Sequence, residues 1–240
     1  MAILDRSIAA NIPALAGFEP NHLDEILREA RSISYPKETH VFDQGSDAHS
    51  FFLLLHGHLR VEKTTPQGQQ IVVRYISAGD LFGVAQALAL DTYPATAIAV
   101  VDSIALCWPS AAWPRLIAKF PSLSAQMLQT VGRRLQDSQE RVMEMSGQQV
   151  EQRVAHALLR LAKQAGRNVE SGIEIAFPIS RQDVAEMTGT TLHTVSRILS
   201  AWELQGLIAG GRLRIVLRDS HKLFVIAEGK ELDHPRPKST

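Results

Sequence analysis

Ser180-Arg181-Gln182-Asp183-Val184-Ala185-Glu186-Met187-Thr188-Gly189, continued by Thr190-Thr191-Leu192-His193-Thr194-Val195-Ser196-Arg197-Ile198-Leu199-Ser200-Ala201-Trp202-Glu203, decides how this chain folds. Ser180 can cap a helix, and an acid three residues on favours the positive helix end. Val184, Ala185 and Met187 give that short helix an apolar side. Gly189 stands where a tight turn between helices needs a residue without Cβ. Thr190-Thr191 then offer an N-cap for a second helix.

The second helix has two unlike faces. Val195, Ile198, Leu199 and Trp202 recur at i, i+3, i+4, i+7 and form the side that packs inward. His193, Ser196, Arg197 and Ser200 have the same spacing on the opposite side. A helix that enters the major groove needs this division, with one side anchored and the other free to meet base edges. Arg197 can donate two hydrogen bonds to guanine O6 and N7, and Ser196 and His193 can each donate or accept. Arg181, Thr191, Thr194, Ser200 and Arg212 are the candidate phosphate contacts, because guanidinium, hydroxyl and first-turn N–H groups hold phosphate oxygens. Beyond the helix, Gly206-Leu207-Ile208, Gly210-Gly211-Arg212 and Leu213 to Leu217 read as a two-stranded wing with Arg212 at its tip. Taken singly, Arg197 or His193 would read as a solvated surface residue. The order of helix, glycine turn, helix and arginine-tipped hairpin makes double-stranded DNA the partner.

Towards the N-terminus the pattern changes. Val150, Val154, Ala157, Leu158 and Leu161 predict a helix that ends near Ala165-Gly166-Arg167-Asn168, and Ser146-Gly147 breaks it from the segment before. In that earlier segment, which follows Pro121, Leu128, Val131, Leu135, Ser138, Val142 and Met145 fall at steps of three and four, an a/d seam flanked by Arg133, Arg134, Asp137, Glu140 and Arg141. Such a helix packs against a copy of itself. The alternative is an amphipathic helix lying on its own β domain. From Tyr35 to Trp108, short runs rich in β-branched and aromatic residues alternate with turn residues: Val41-Phe42, Phe51 to Leu55, Leu59 to Val61, Ile71 to Ile76, Thr96 to Val101 and Ile104 to Cys107. Strands this short, at this spacing, predict an all-β roll or barrel, with Thr65-Pro66-Gln67-Gly68 as a hairpin turn. Residues 19–31 predict a short helix, and the polar stretch 227–240 a disordered tail.

Composition narrows the function classes. Formal net charge over the 240 residues is zero, so any polyanion footprint must be local. Between Ser180 and Arg218 five arginines face three carboxylates, a mild excess. The single cysteine, Cys107, excludes an internal disulfide and a four-cysteine iron–sulfur cluster held within the chain. No segment approaches the ~20 apolar residues that span a bilayer, and no signal peptide is evident, so a cytoplasmic protein is expected, with no membrane partner. No metal-ligand spacing, nucleophile elbow or phosphate loop points to an enzyme.

The chain resembles the CRP/FNR family along nearly its full length. Tyr35-Pro36-Lys37, Phe42-x-Gln44-Gly45, Leu53-Leu54-Leu55-x-Gly57 and Gly79-Asp80-Leu81-Phe82-Gly83 look like the landmarks of its β-roll. The stretch Ser180 to Ala185, Gly189 and Thr194 to Leu199 matches its DNA-reading motif. The resemblance implies an α+β architecture: a cyclic-nucleotide-binding-like β-roll over 1–120, a dimerisation helix over 121–146, a winged helix-turn-helix over 147–221 and a tail over 222–240. It also implies a homodimer on a palindromic promoter site, with RNA polymerase as a further partner. In cyclic-AMP-binding members a Gly-Glu pair holds the ribose and an Arg-Ser pair the cyclic phosphate. Here those places read Gly83-Val84 and Pro94-Ala95, so cyclic AMP is not the expected effector.

Thr190 to Arg197 with Ala201-Trp202-Glu203 resembles the recognition helix of the NnrR-type nitrogen-oxide regulators, related members of which sense nitric oxide through haem. Ser196 and Arg197 match the FNR-type reader and suggest a TTG-N-CAA-type palindrome, while His193 replaces that reader's Glu. A haem would need an axial ligand. The candidates are His22, His40, His49, His56, His58 and Cys107, of which His22, His56 and His58 stand out only as residues on a helix or beside one turn; each reads more readily as a surface residue.

Overall fold

The computed structural model describes Ile12, Leu15 and residues 18–230, so the end of the expected tail lies outside the described residues. The chain divides into two compact units, Met1–Ser138 and Gln139–Thr240.

The first unit is the β-roll. Helix α1 (Pro20–Arg28) leads into β1 (Arg31–Tyr35), β2 (His40–Phe42), β3 (Ser50–His56), β4 (His58–Thr64), β5 (Gln70–Ser77), β6 (Leu81–Phe82), β7 (Thr96–Ala99) and β8 (Ser103–Pro109), followed by α2 (Trp113–Lys119) and the start of α3 (Pro121–Gly147). The strands form two antiparallel sheets, ordered β1-β8-β3-β6 and β2-β7-β4-β5. Strand β3 shows why its sequence is apolar without a break. Successive side chains point to opposite faces. Phe51 and Leu53 join a core with α1, α2 and α3, while Phe52 and Leu54 join a second core between the sheets. A strand buried on both faces reads as a continuous hydrophobic run. Trp108 closes the first core, donating its indole N–H to the Ile26 carbonyl at 2.7 Å.

One sequence expectation needs correction in this unit, and two features were not foreseen. The first helix stops at Arg28, and Arg31 instead pairs with Cys107 at the head of a strand. The short helix α2 was not anticipated. His56 and His58 do not share a strand face. Gly57 between them, at φ +92°, turns the chain, and a Cβ there would meet the Asp102 carbonyl and Ser103. His56 therefore pairs with Ile104 in one sheet and His58 with Ser77 in the other.

The second unit holds the end of α3, then α4 (Val150–Ala165), β9 (Gly166–Val169), β10 (Gly172–Ile175), α5 (Arg181–Thr188), α6 (Leu192–Leu204), β11 (Ile208–Gly211), β12 (Arg214–Leu217) and α7 (Ser220–Ala227). The helix break falls where Ser146-Gly147 placed it, since α3 ends at Gly147 and α4 opens on a capping box between Gln149 and Gln152. The wing is larger than the two-stranded hairpin expected: β9 and β10 extend it into one antiparallel sheet ordered β11-β12-β10-β9. Residues 222–227, assigned to the tail from sequence, belong to α7, whose Leu223 and Ala227 are fully buried in a domain built round α4.

Candidate nucleic-acid interface

Helix α5 starts as its sequence dictates. The Ser180 hydroxyl accepts from the Asp183 N–H at 3.0 Å, and the Asp183 carboxylate accepts from the Ser180 N–H at 2.7 Å, a reciprocal cap. Gly189 ends the helix in the left-handed region at φ +60°. A Cβ at Gly189 would stand 2.6 Å from Met145 Cε, so the turn also sits against the last turns of α3. Thr191 caps α6, accepting from the Thr194 N–H at 3.2 Å.

The inward face of α6 is firmly seated. Val195, Leu199 and Trp202 are buried, and the Trp202 indole donates to Glu151 of α4 at 2.9 Å. Ile198, expected on that face, is only half-buried. On the other face His193 and Arg197 are exposed, with Ser196 half-buried between them. Leu192, not singled out from sequence, is also exposed at the first position of α6. It stands three and seven residues before Val195 and Leu199, at the edge of the apolar stripe where the helix begins.

Four of the five expected phosphate contacts are engaged within the protein. The Arg181 guanidinium donates to Ser200 Oγ at 3.2 Å, to the Ser196 carbonyl at 3.3 Å and to Glu203 at 3.1 Å. It thereby ties α5 to α6 and takes up the Ser200 hydroxyl. Glu203 in turn lies over β11, because Gly210 has no side chain: a Cβ there would fall 2.0 Å from Glu203 Oε1. Thr191 and Thr194 are engaged with each other at the cap, their hydroxyls 3.0 Å apart. Arg212 is exposed in the turn between β11 and β12. The wing behind it is clamped by Glu174, which accepts from Arg214 at 2.7 Å and from Arg167 at 3.1 Å. Chiefly the Arg214 hydrogen bond, then that of Arg167, hold the Glu174 carboxyl below the usual carboxylate range against the opposing effect of burial.

The Crp-like helix-turn-helix domain matches residues 152–224, and the cyclic nucleotide-binding domain matches residues 32–120. The chain belongs to the CRP/FNR family of DNA-binding transcription regulators. It is 28% identical to the Cyclic AMP receptor protein of Thermus thermophilus, over 90% of this chain and 97% of that one. It is 24% identical to the Transcriptional activator protein anr of Pseudomonas aeruginosa, over 87% and 84%. Among solved structures, FixK2 from Bradyrhizobium japonicum matches with a TM-score of 0.72 at 22% identity, over 85% of this chain and 99% of that one. These relatives are regulators, not enzymes. Among the described residues no helix of the regulator is long and apolar enough to cross a membrane.

At the places where the resemblance puts the cyclic-nucleotide contacts, the regulator's β-roll holds Gly83-Val84 and Pro94-Ala95. Val84 and Ala95 are buried, and Pro94 is exposed. Beside them Tyr93 stacks on Phe42 with ring centroids 3.9 Å apart, Phe42 stacks on Phe52, and Phe52 on Phe82. These residues do not fit a cyclic phosphate. The candidate axial ligands for haem lie on separate elements. His22 is exposed and tilts against Phe120, His40 pairs with Asp43, and His49 lies 3.6 Å from Asp47. Cys107 is half-buried in β8, and among the described residues no group of three or more His, Cys, Asp or Glu side chains could hold a metal ion.

The seam expected on α3 divides into two. Leu128, Leu135 and Val142, seven residues apart, are 73%, 59% and 63% exposed and form an apolar stripe. Val131 is half-buried against the core of the roll, as are Leu123 and Met127 more fully. Ser138 is exposed, and Met145 borders Gly189. One face of this helix therefore packs on the roll, and another carries the exposed apolar stripe.

Proposed function

We propose that the protein is a cytoplasmic homodimeric regulator that reads a TTG-N-CAA-type palindrome and belongs to the nitrogen-oxide-responsive, NnrR-type branch of its family. The observation that carries the DNA reading is the exposed pair His193 and Arg197 on a helix anchored from behind by Trp202. Arg197 takes the guanine, Ser196 and His193 read its neighbours, and exposed Leu192 can meet a thymine methyl. Arg212, Thr191 and Thr194 hold phosphates. Arg181 and Ser200 act chiefly by fixing the tilt of α6 on α5.

Leu128, Leu135 and Val142 form the dimer contact, with Ser138 and the flanks of Val131 and Met145 beside them. An effector in the roll shifts the population between two arrangements of the DNA heads, and only one sets the recognition helices roughly 34–36 Å apart, one turn of DNA. RNA polymerase is the further partner, on the family likeness. Cyclic AMP is not the effector, given Val84, Pro94 and Ala95. The scattered histidines favour a second reading of the sensor, a regulator of the same family without haem.

Binding to a duplex carrying the inverted TTG and CAA half-sites, against a scrambled duplex at the same salt, tests the first part. Equal affinity for both would leave only non-specific binding. Reconstitution with haem and an absorption spectrum with and without nitric oxide tests the sensor, and a flat Soret region removes haem.

A further inference from the structure

The junction between α3 and α4 is polar. Glu144, in the last turn of α3, is buried and paired with half-buried Arg160 of α4. Four residues onward from Glu144 and four back from Arg160, Gln148 Nε2 lies 3.4 Å from His156 Nε2. Residues four apart share a helix face. The two contacts are therefore successive rungs between segments that run in opposite directions. Arg153, one turn earlier on α4, donates to the Gln148 carbonyl at 2.9 Å and to the Thr188 carbonyl at 3.0 Å. It joins the end of α3 to the last residue of α5, next to Gly189.

Within one turn of α3, three faces are thus in use. Val142 stands exposed on the apolar stripe, Glu144 is held by α4, and Met145 meets the Gly189 turn. At its other end α4 holds α6, through Glu151 and the Trp202 indole. The rungs are not the cheapest way to join two helices. Arg160 Nε and Gln148 Oε1 are buried without a hydrogen-bond partner among the described residues. Apolar side chains of similar volume would hold the helices together without that cost. What polar rungs add is a fixed register, since they are satisfied in one alignment and lost in the next.

We propose that Glu144, Gln148, His156 and Arg160 are positioning residues for DNA binding. They pin the last turn of α3 to the DNA-reading unit, so the break at Ser146-Gly147 is not a free joint. A movement of α3 is then carried through α4 to Trp202 and the recognition helix. The proposal rests on the reading of a palindrome by a homodimer, and it names the side chains that hold each head in the arrangement reaching both half-sites.

The test is fluorescence anisotropy of the full chain at one salt concentration with two duplexes, one carrying both inverted half-sites and one with the second half-site scrambled. Joint engagement of two sites raises affinity on the order of 100-fold or more over one site, provided the geometry lets both engage. Glu144→Ala and Arg160→Ala should each cut that ratio about tenfold or more, with affinity for the single half-site unchanged. Glu144→Leu combined with Arg160→Met removes both charges and should melt no lower than the parent protein. It should show the same reduced ratio, which separates positioning from stability and carries the test should a single change unfold the head. Folded variants that keep the parent's ratio, or that lose the single half-site in step with the palindrome, would overturn the proposal and leave the palindrome reading standing. A parent protein that binds both duplexes equally would overturn the two together.

Discussion

The two halves of the molecule place their arginines in opposite ways. In the winged domain Arg197 stands exposed on a helix whose other side is buried round Trp202. In the roll Arg74 shares an inward face with Val61 and Ile76. The first arrangement presents charge to a large, rigid polyanion that supplies its own solvation. The second keeps charge on a strand face that it shares with core residues. A helical face is defined by residues three and four apart, so the first could be read from one short window. A sheet face depends on which distant strands pair, and the second emerges only once β5 is registered on β4.

The contrast can be broken most severely from the buried side of α6. Trp202→Ala removes a fully buried indole and its hydrogen bond to Glu151, and should cost about 3–5 kcal/mol of stability in the second unit. Thermal unfolding should show the loss there, with the roll's transition preserved. Gly189→Val places a β-branched residue at φ +60° and drives it towards Met145, so it should destabilise by about 2 kcal/mol or more. Denaturant unfolding checks it, and an unchanged midpoint would mean that the turn is not the one described.

Acid sharpens the comparison further. The Glu174 pKa lies below its unfolded value, so its contribution to stability is complete above the ordinary carboxylate range and is lost as pH falls through the lower folded value. The winged domain should therefore weaken as pH falls below the ordinary carboxylate range, and Glu174→Gln should flatten that part of the melting curve against pH. The smallest effect is expected at the wing tip. Arg212→Ala should weaken binding to all sequences alike and lower the salt slope by about 1, with no change in preference among half-sites.

Much of the fold was legible because its signals are local. The Ser180 cap, the Gly189 turn, the two faces of α6 and the break after Gly147 each rest on a few adjacent residues. What escaped depends on distant partners. Strand β1 reads Arg-Ser-Ile-Ser-Tyr, too polar to announce itself, and forms because Arg31 to Tyr35 register on β8, some seventy residues on. Strands β9 and β10 are four residues each, and β10 is completed by β12. Helix α7 is eight residues long, below the length at which helical periodicity is informative, and it is held by packing rather than by propensity. On the outward face of α6, the exposure of His193 and Arg197 was legible from spacing. The engagement of Arg181 with Glu203 was not, because the two lie on different helices and meet only after the turn closes.

The central claim is that Arg197 reads a base from a helix anchored by its opposite face. The direct measurement is the affinity of the parent protein and of Arg197→Ala for a panel of duplexes in which each guanine of the half-site is replaced in turn, at one fixed salt concentration. The account predicts that Arg197→Ala loses about 1–3 kcal/mol on the intact site and becomes indifferent at one guanine while keeping its discrimination elsewhere. Retained discrimination at every guanine position, or a uniform loss across the whole panel, would contradict it.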